Sequence, residues 1–220
     1  MSLTRADLEQ GLMRRLWRDS GQAGQVLSED ELAAGADHAL ATCPGEPWVF
    51  GYGSLIWNPL IEFEERTCAT LAGYHRRFCL WSKTGRGTAD CPGLVLGLDS
   101  GGTCCGVAYR LDPRKAAREF HLLWSREMVT NAYQAQWLPV RTGERTVHAL
   151  AFVINDGHPN YAKDVPMETL VETISTACGQ FGSSREYLVQ TVEGLLAAGL
   201  DDEFLIELRA RVDAVVIQIG

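Results

Sequence analysis

An α+β domain preceded by an α-helical arm is the fold class that three observations predict. Residues 48–154 are dominated by β-branched and aromatic runs punctuated by Gly, Asp and Pro. The chain on either side carries apolar residues at helical spacing. The strand-like runs also form a block instead of alternating regularly with helices, which argues against a βαβ arrangement. With 220 residues, 46% of them hydrophobic, the chain can bury a full core. We divide it into an arm at 1–45 and a domain at 46–220.

In the arm, Leu8, Leu12, Leu16 and Trp17 recur at helical spacing, and Ser28-Glu29-Asp30-Glu31 is a capping box opening a second helix that runs to about Leu40. Cys43-Pro44-Gly45-Glu46-Pro47 then breaks the chain. Strands are predicted over 48–50, 67–71, 77–82, 93–98, 102–111, 133–141 and 146–154. One helix interrupts them: Asp112 caps it, Pro113 sits in its first turn, and Phe120, Leu123, Trp124 and Met128 form its apolar stripe. Amphipathic helices follow over 165–178, 183–198 and 201–216, with Gly179 and Gly182 at the first junction and Gly199 at the second.

A net charge of −8 and a pI near 5.1 argue against nucleic acid as a partner, because a phosphate backbone needs a basic face. No run approaches the ~18 apolar residues of a membrane span. Residues 1–10 lack the basic-then-apolar pattern of a signal peptide, so a cytoplasmic protein without a membrane partner is expected. The seven cysteines, Cys43, Cys68, Cys79, Cys91, Cys104, Cys105 and Cys178, form no C-x-x-C pair, and their odd number fits reduced thiols. In a strand, Cys104 and Cys105 point to opposite faces. The five histidines have no metal-ligand spacing, and Ser54 is not followed by the residues of a nucleophile elbow.

Candidate chemistry concentrates in a few places. The apolar run Trp48-Val49-Phe50 empties into Gly51-Tyr52-Gly53-Ser54. Glycines permit φ > 0 and close approach of a ligand, so these N–H groups form an anion-binding nest, or the glycines serve only a bulge or tight turn. Arg86, in the loop-like Lys83-Thr84-Gly85-Arg86-Gly87-Thr88, is either a solvated surface residue or a cation over a site. An acidic chain that binds an anionic substrate needs such a group. Glu127, set among Leu123, Trp124 and Met128, is a buried base with an elevated pKa, the ion-pair partner of an arginine such as Arg126, or an exposed side chain. Tyr133 is a pocket hydroxyl or a core aromatic.

Taken with its flanks, Val49-Phe50-Gly51-Tyr52-Gly53-Ser54-Leu55-Ile56-Trp57-Asn58-Pro59 resembles the signature of the ChaC-like γ-glutamylcyclotransferases. Gly73-Tyr74-His75-Arg76-Arg77-Phe78, Gly85-Arg86-Gly87-Thr88, Pro92-Gly93, Gly106-Val107-Ala108-Tyr109-Arg110, Leu123-Trp124-Ser125-Arg126-Glu127-Met128, Ala149-Leu150-Ala151-Phe152-Val153 and His158-Pro159-Asn160-Tyr161 follow in that family's order. The resemblance spans roughly residues 48–187. It implies a small, closed or partly closed mixed β-barrel with helices packed around it. It also implies cleavage of glutathione, or a related γ-glutamyl peptide, into 5-oxoproline and the released peptide, with no metal and no organic cofactor. Glu127 then falls on the family's catalytic glutamate, and Val49, Phe50, Gly51, Tyr52, Gly53, Ser54, Leu55, Arg86 and Tyr133 are the expected substrate contacts. Shorter members carry a further acidic residue near Arg118, which leaves the neighbouring Glu119 without an assigned role. A cyclotransferase for other γ-glutamyl amines and a non-catalytic regulatory protein are the competing readings.

Overall fold

The computed structural model describes residues 3–22 and 26–219. The arm contains α1 (Arg5–Glu9), α2 (Leu12–Trp17) and α3 (Glu29–Ala41). The helical repeat through Leu8 and Leu12 is broken at Gly11, whose φ of +67° ends one short helix and starts the next. The Ser28 capping box forms as the sequence predicts, with Ser28 Oγ accepting from the Glu31 N–H.

The domain is built on β1 (Trp48–Gly51), a short α4 (Ser54–Trp57), β2 (Glu65–Ser82) and β3 (Gly93–Arg110). After α5 (Ala116–Glu127) come β4 (Tyr133–Thr142) and β5 (Arg145–Ile154). The order β1-β3-β2-β4-β5 closes into a barrel, with β1 antiparallel to β3 (Phe50 opposite Ala108) and parallel to β5 (Trp48 opposite Ala149). Trp48, Phe50, Leu71, Leu98 and Phe152 are among its fully buried side chains. The mixed barrel with surrounding helices is therefore the fold that the resemblance implies.

Three boundaries differ from the sequence reading. Where it ends strands near residues 71 and 98 and restarts them, β2 and β3 run on as a single long hairpin. Gly73 (φ +85°) lies opposite Gly101 (+96°) and Gly102 (+71°), and together they bend the pair instead of ending it. Helix α5 begins at Ala116, because residues 113–115 form a turn and the Asp112 carboxylate bonds Arg114 (2.8 Å) in place of capping a helix. Cys178, expected at a helix end, joins β6 (Cys178–Gly179), which pairs with β7 (Gly182–Ser183) after α6 (Met167–Thr176). Helices α7 (Ser184–Ala197) and α8 (Glu203–Ile219) complete the chain. No described helix is long and apolar enough to cross a membrane. Cys104 is buried and Cys105 exposed, as alternation along β3 requires.

Glu119, unassigned by sequence, fastens the arm to α5. Its carboxylate is fully buried, accepts two hydrogen bonds of 2.7 Å from Arg5, and takes a third of 2.9 Å from the Glu62 N–H. Around it, Leu8 and Met13 of the arm pack on Leu122 and Val129. Arg5→Ala leaves that carboxylate without its cation, at a cost of about 3 kcal/mol. Thermal denaturation should show a clear drop in midpoint, and joint replacement of Arg5 and Glu119 by methionine should recover much of it. A variant as stable as the parent would show the pair to be dispensable.

Candidate active site

A cavity of about 380 Å³ opens between the barrel, α4, α5 and α7, and Glu127 lines it. Glu127 is the last residue of α5, so its carboxylate sits where the helix dipole is negative. Its side chain is 15% exposed, and burial pushes its pKa above the ordinary glutamate value despite Arg126 alongside, which pulls the other way. Arg126 Nε approaches Oε1 at 2.9 Å without the alignment of a hydrogen bond. Oε1 thus has an attracting cation and no donor, and stays available as a proton acceptor.

Arg126 is held rigidly. Its Nη1 donates to the Asn58 carbonyl (2.5 Å) and its Nη2 to Ser54 Oγ (2.9 Å). Ser54 opens α4 directly after the glycine turn, and Tyr52, Gly53, Ser54 and Leu55 line a narrow recess together with Glu127, Tyr133 and Tyr187. The N–H groups of Ser54 and Leu55 lie in the first turn of α4 and have no intrahelical acceptor. Arg76 Nε donates to the Tyr52 carbonyl (2.5 Å), and Tyr109 Oη donates to that of Leu55 (2.8 Å), which fixes the turn from both sides. Gly53 has a negative φ of −136°, so a left-handed conformation is not what calls for glycine there. A Cβ at Gly53 would instead lie 3.2 Å from the Tyr187 hydroxyl.

Three tyrosines, Tyr52 and Tyr187 buried and Tyr133 partly so, line the recess with the carboxylate. Tyr52 Oη donates to the Phe152 carbonyl (2.8 Å) and Tyr133 Oη to that of Leu96 (2.9 Å). Tyr187 differs: its oxygen accepts the Leu96 N–H (3.4 Å), and its proton has no acceptor among the described residues. Burial raises all three hydroxyl pKa values, that of Tyr187 to about 12, so each remains a neutral donor. Arg86 lines the cavity from the loop after β2, with its guanidinium 5.4 Å from the Tyr187 ring centre. It is mostly buried, which lowers its pKa, and among the described residues it forms no ion pair within 4 Å.

Of the residues expected from sequence, Tyr52, Gly53, Ser54, Leu55, Arg86, Glu127 and Tyr133 come together around this cavity and its recess. Val49, Phe50 and Gly51 do not: they are buried in β1, and their side chains or Cα pack into the barrel. Gly51 is needed for the close approach of α4, since a Cβ there would lie 3.1 Å from Leu55 Cβ.

With that geometry in view, a family model described as ChaC-like protein matches residues 47–215. The chain belongs to the ChaC-like family. A relative from Escherichia coli named glutathione-specific γ-glutamylcyclotransferase is 40% identical over 83% of this chain and 80% of its own. A human relative, glutathione-specific γ-glutamylcyclotransferase 1, is 32% identical over 78% of this chain and 80% of its own. A crystal structure of a γ-glutamylcyclotransferase specific to glutathione from yeast shares the fold, with a TM-score of 0.70, 22% identity and coverage of 77% of this chain and 97% of that one.

In this ChaC-like site the sequence reading misses Tyr187, whose place on an amphipathic helix makes it look like any core aromatic. It also misses Leu3, Met13 and Trp17, which lie before the matched stretch and yet line the cavity. Because the Arg126 guanidinium holds the Glu127 pKa down, Arg126→Met should move it further up. Carbon-detected NMR titration of the Glu127 carboxyl in both proteins measures that displacement; an unchanged midpoint would mean that burial alone sets the value.

Proposed function

We propose that this chain is a γ-glutamylcyclotransferase that cleaves glutathione to 5-oxoproline and cysteinylglycine, with Glu127 as base and then as acid. The buried, donor-free Oε1 of Glu127 in a cavity rimmed by neutral hydroxyl donors carries this reading, and the names of the 40% and 32% identical relatives support it. Its seven free thiols suit the reducing cytoplasm, to which we assign it.

The substrate brings its own nucleophile. Its α-amine closes a five-membered ring on its γ-carbonyl carbon, and well-oriented intramolecular attack has an effective molarity on the order of 10⁵ M or more. Glu127 takes a proton from the α-ammonium, freeing the lone pair for attack. The C–N bond of the lactam forms, and negative charge moves to the former carbonyl oxygen. The N–H groups of Ser54 and Leu55 and the Tyr187 hydroxyl donate to that oxygen, with no reorganisation needed as the charge develops. Collapse breaks the scissile amide bond as Glu127 returns that proton to the departing amine; the lactam nitrogen, which still holds two protons after attack, passes the second to the freed Glu127 carboxylate, from which it leaves on the released amine as its ammonium. Arg86, which among the described residues has no ion pair within 4 Å and feels Glu186 only at longer range, holds a carboxylate of the substrate.

An elevated Glu127 pKa suits both halves of this proton transfer. The protonated carboxyl cannot accept, so kcat/KM should fall as pH drops through the raised pKa, with an acid limb above the ordinary glutamate value of 4.5. Glu127→Gln keeps shape and abolishes proton acceptance: 5-oxoproline formation should drop by ~10²–10⁴-fold while glutathione still binds by calorimetry. Activity within a few-fold of the parent would remove Glu127 from the mechanism.

Tyr187→Phe tests the oxyanion donor. The ring keeps its edge contacts with Trp57 (6.3 Å) and Phe78 (6.1 Å), so the fold should survive with a melting midpoint near that of the parent. Loss of one preorganised donor should lower kcat by about a hundredfold. A change confined to KM would assign the hydroxyl to ground-state binding instead.

A further inference from the structure

The cavity has a wall that lies outside the matched family stretch. Leu3, Met13 and Trp17 of the arm line it beside Val129 and Phe181, whereas the family match begins at residue 47. Trp17 stacks on Phe181 with ring centres 6.3 Å apart. Both rings lie against Gly85, where a Cβ would be 3.4 Å from each, so the arm closes over the loop that carries Arg86. Specific polar contacts set this docking. Besides the Arg5 and Glu119 pair, Arg5 Nη1 donates to the Leu60 carbonyl (3.2 Å), and Asn58 Nδ2 donates to that of Leu3 (3.2 Å). Leu60 has a φ of +55°, an uncommon conformation for leucine, at the point where Arg5 grips it. The carbonyl of the same Asn58 holds Arg126. The arm residues are absent from the recess around Gly53 and Glu127 and line only the outer cavity.

We propose that the arm forms the subsite for the leaving-group side of the substrate, so that the residue after the scissile amide packs on Trp17, Met13 and Phe181. This rests on the cyclotransferase reading: the reacting carbonyl must stand at Glu127, the recess is too narrow for a tripeptide, and the remainder extends across the cavity to the arm. The small, polarisable –CH₂SH side chain of cysteine suits a wall made of the Met13 thioether and the Trp17 and Phe181 rings. The arm thereby selects peptide leaving groups over small amines.

The test compares glutathione with γ-glutamyl methylamide, whose leaving group is too short to reach the arm, in the full-length parent and in Trp17→Ala and Met13→Ala. Each variant should raise KM for glutathione about tenfold, with kcat within about twofold, and should move the methylamide KM far less. Trp17→Phe should restore most of the glutathione KM. Met13 also packs on Leu122 and Val129, so each variant is compared with the parent by limited proteolysis of the arm: a glutathione-specific KM shift with the cleavage rate unchanged separates lost contact from a detached arm. Equal effects on both substrates, or none on either, would overturn the arm subsite while leaving the catalytic reading intact. A parent chain that forms no 5-oxoproline from either substrate would overturn both.

Discussion

A carboxylate kept out of water and still able to ionise is the constraint around which this molecule is arranged. Glu127 sits at the negative end of α5 and is largely desolvated, and both conditions disfavour its charge. Arg126 makes ionisation tolerable without quenching basicity, because its guanidinium is committed elsewhere: Nη1 to the Asn58 carbonyl and Nη2 to Ser54. Only Nε is left to face Glu127, off the line of a hydrogen bond. A bidentate pair would have pulled the carboxyl pKa down and occupied its lone pairs.

The same constraint has a cost in stability, with a definite sign. The folded-state pKa of Glu127 lies above its unfolded value, so the native protein holds this proton more tightly than the unfolded chain does. The resulting stabilisation is complete below the ordinary carboxylate pKa and is lost as pH rises through the elevated one. At neutral pH the site is therefore a burden on the fold, offset by the barrel and by anchors such as the Arg5 and Glu119 pair. Two glutamates eight positions apart on one helix thus stand in opposite surroundings: Glu119 is saturated with donors and structural, whereas Glu127 Oε1 has none and is left open to accept a proton.

What the sequence makes legible follows from how local each signal is. The Ser28 capping box and the late position of Glu127 in α5 depend on residues a few positions apart, and the structure reproduces them. Gly73 and the Gly101-Gly102 pair look like strand ends because a glycine that bends a paired hairpin and one that terminates a strand are identical in sequence; only the partner strand distinguishes them. Val49 and Phe50 lie away from the cavity for a related reason. Motif residues that build the strand beneath a site are as diagnostic of the family as those that touch substrate, and here they are core. Tyr187 and Trp17 escape notice because their roles arise from long-range packing, across Gly53 in one case and Gly85 in the other.

Chemistry that supplies its own nucleophile shifts the enzyme's task from reactivity to placement, and the architecture suits that division. The turn at Tyr52 to Leu55 is clamped by Arg76 and Tyr109, so its donors are set before substrate arrives. Charge matching then separates substrate from product. In the proposed mechanism the γ-glutamyl substrate enters with an α-ammonium that pairs with the Glu127 carboxylate; ring closure turns that nitrogen into a neutral lactam, and the attraction disappears with the charge. Within a cavity of low dielectric this difference is large, so 5-oxoproline is held less tightly than the peptide from which it came. On that proposal one carboxylate, whose Oε1 has no hydrogen-bond donor of its own, binds the ammonium, moves its proton and weakens its hold on the product.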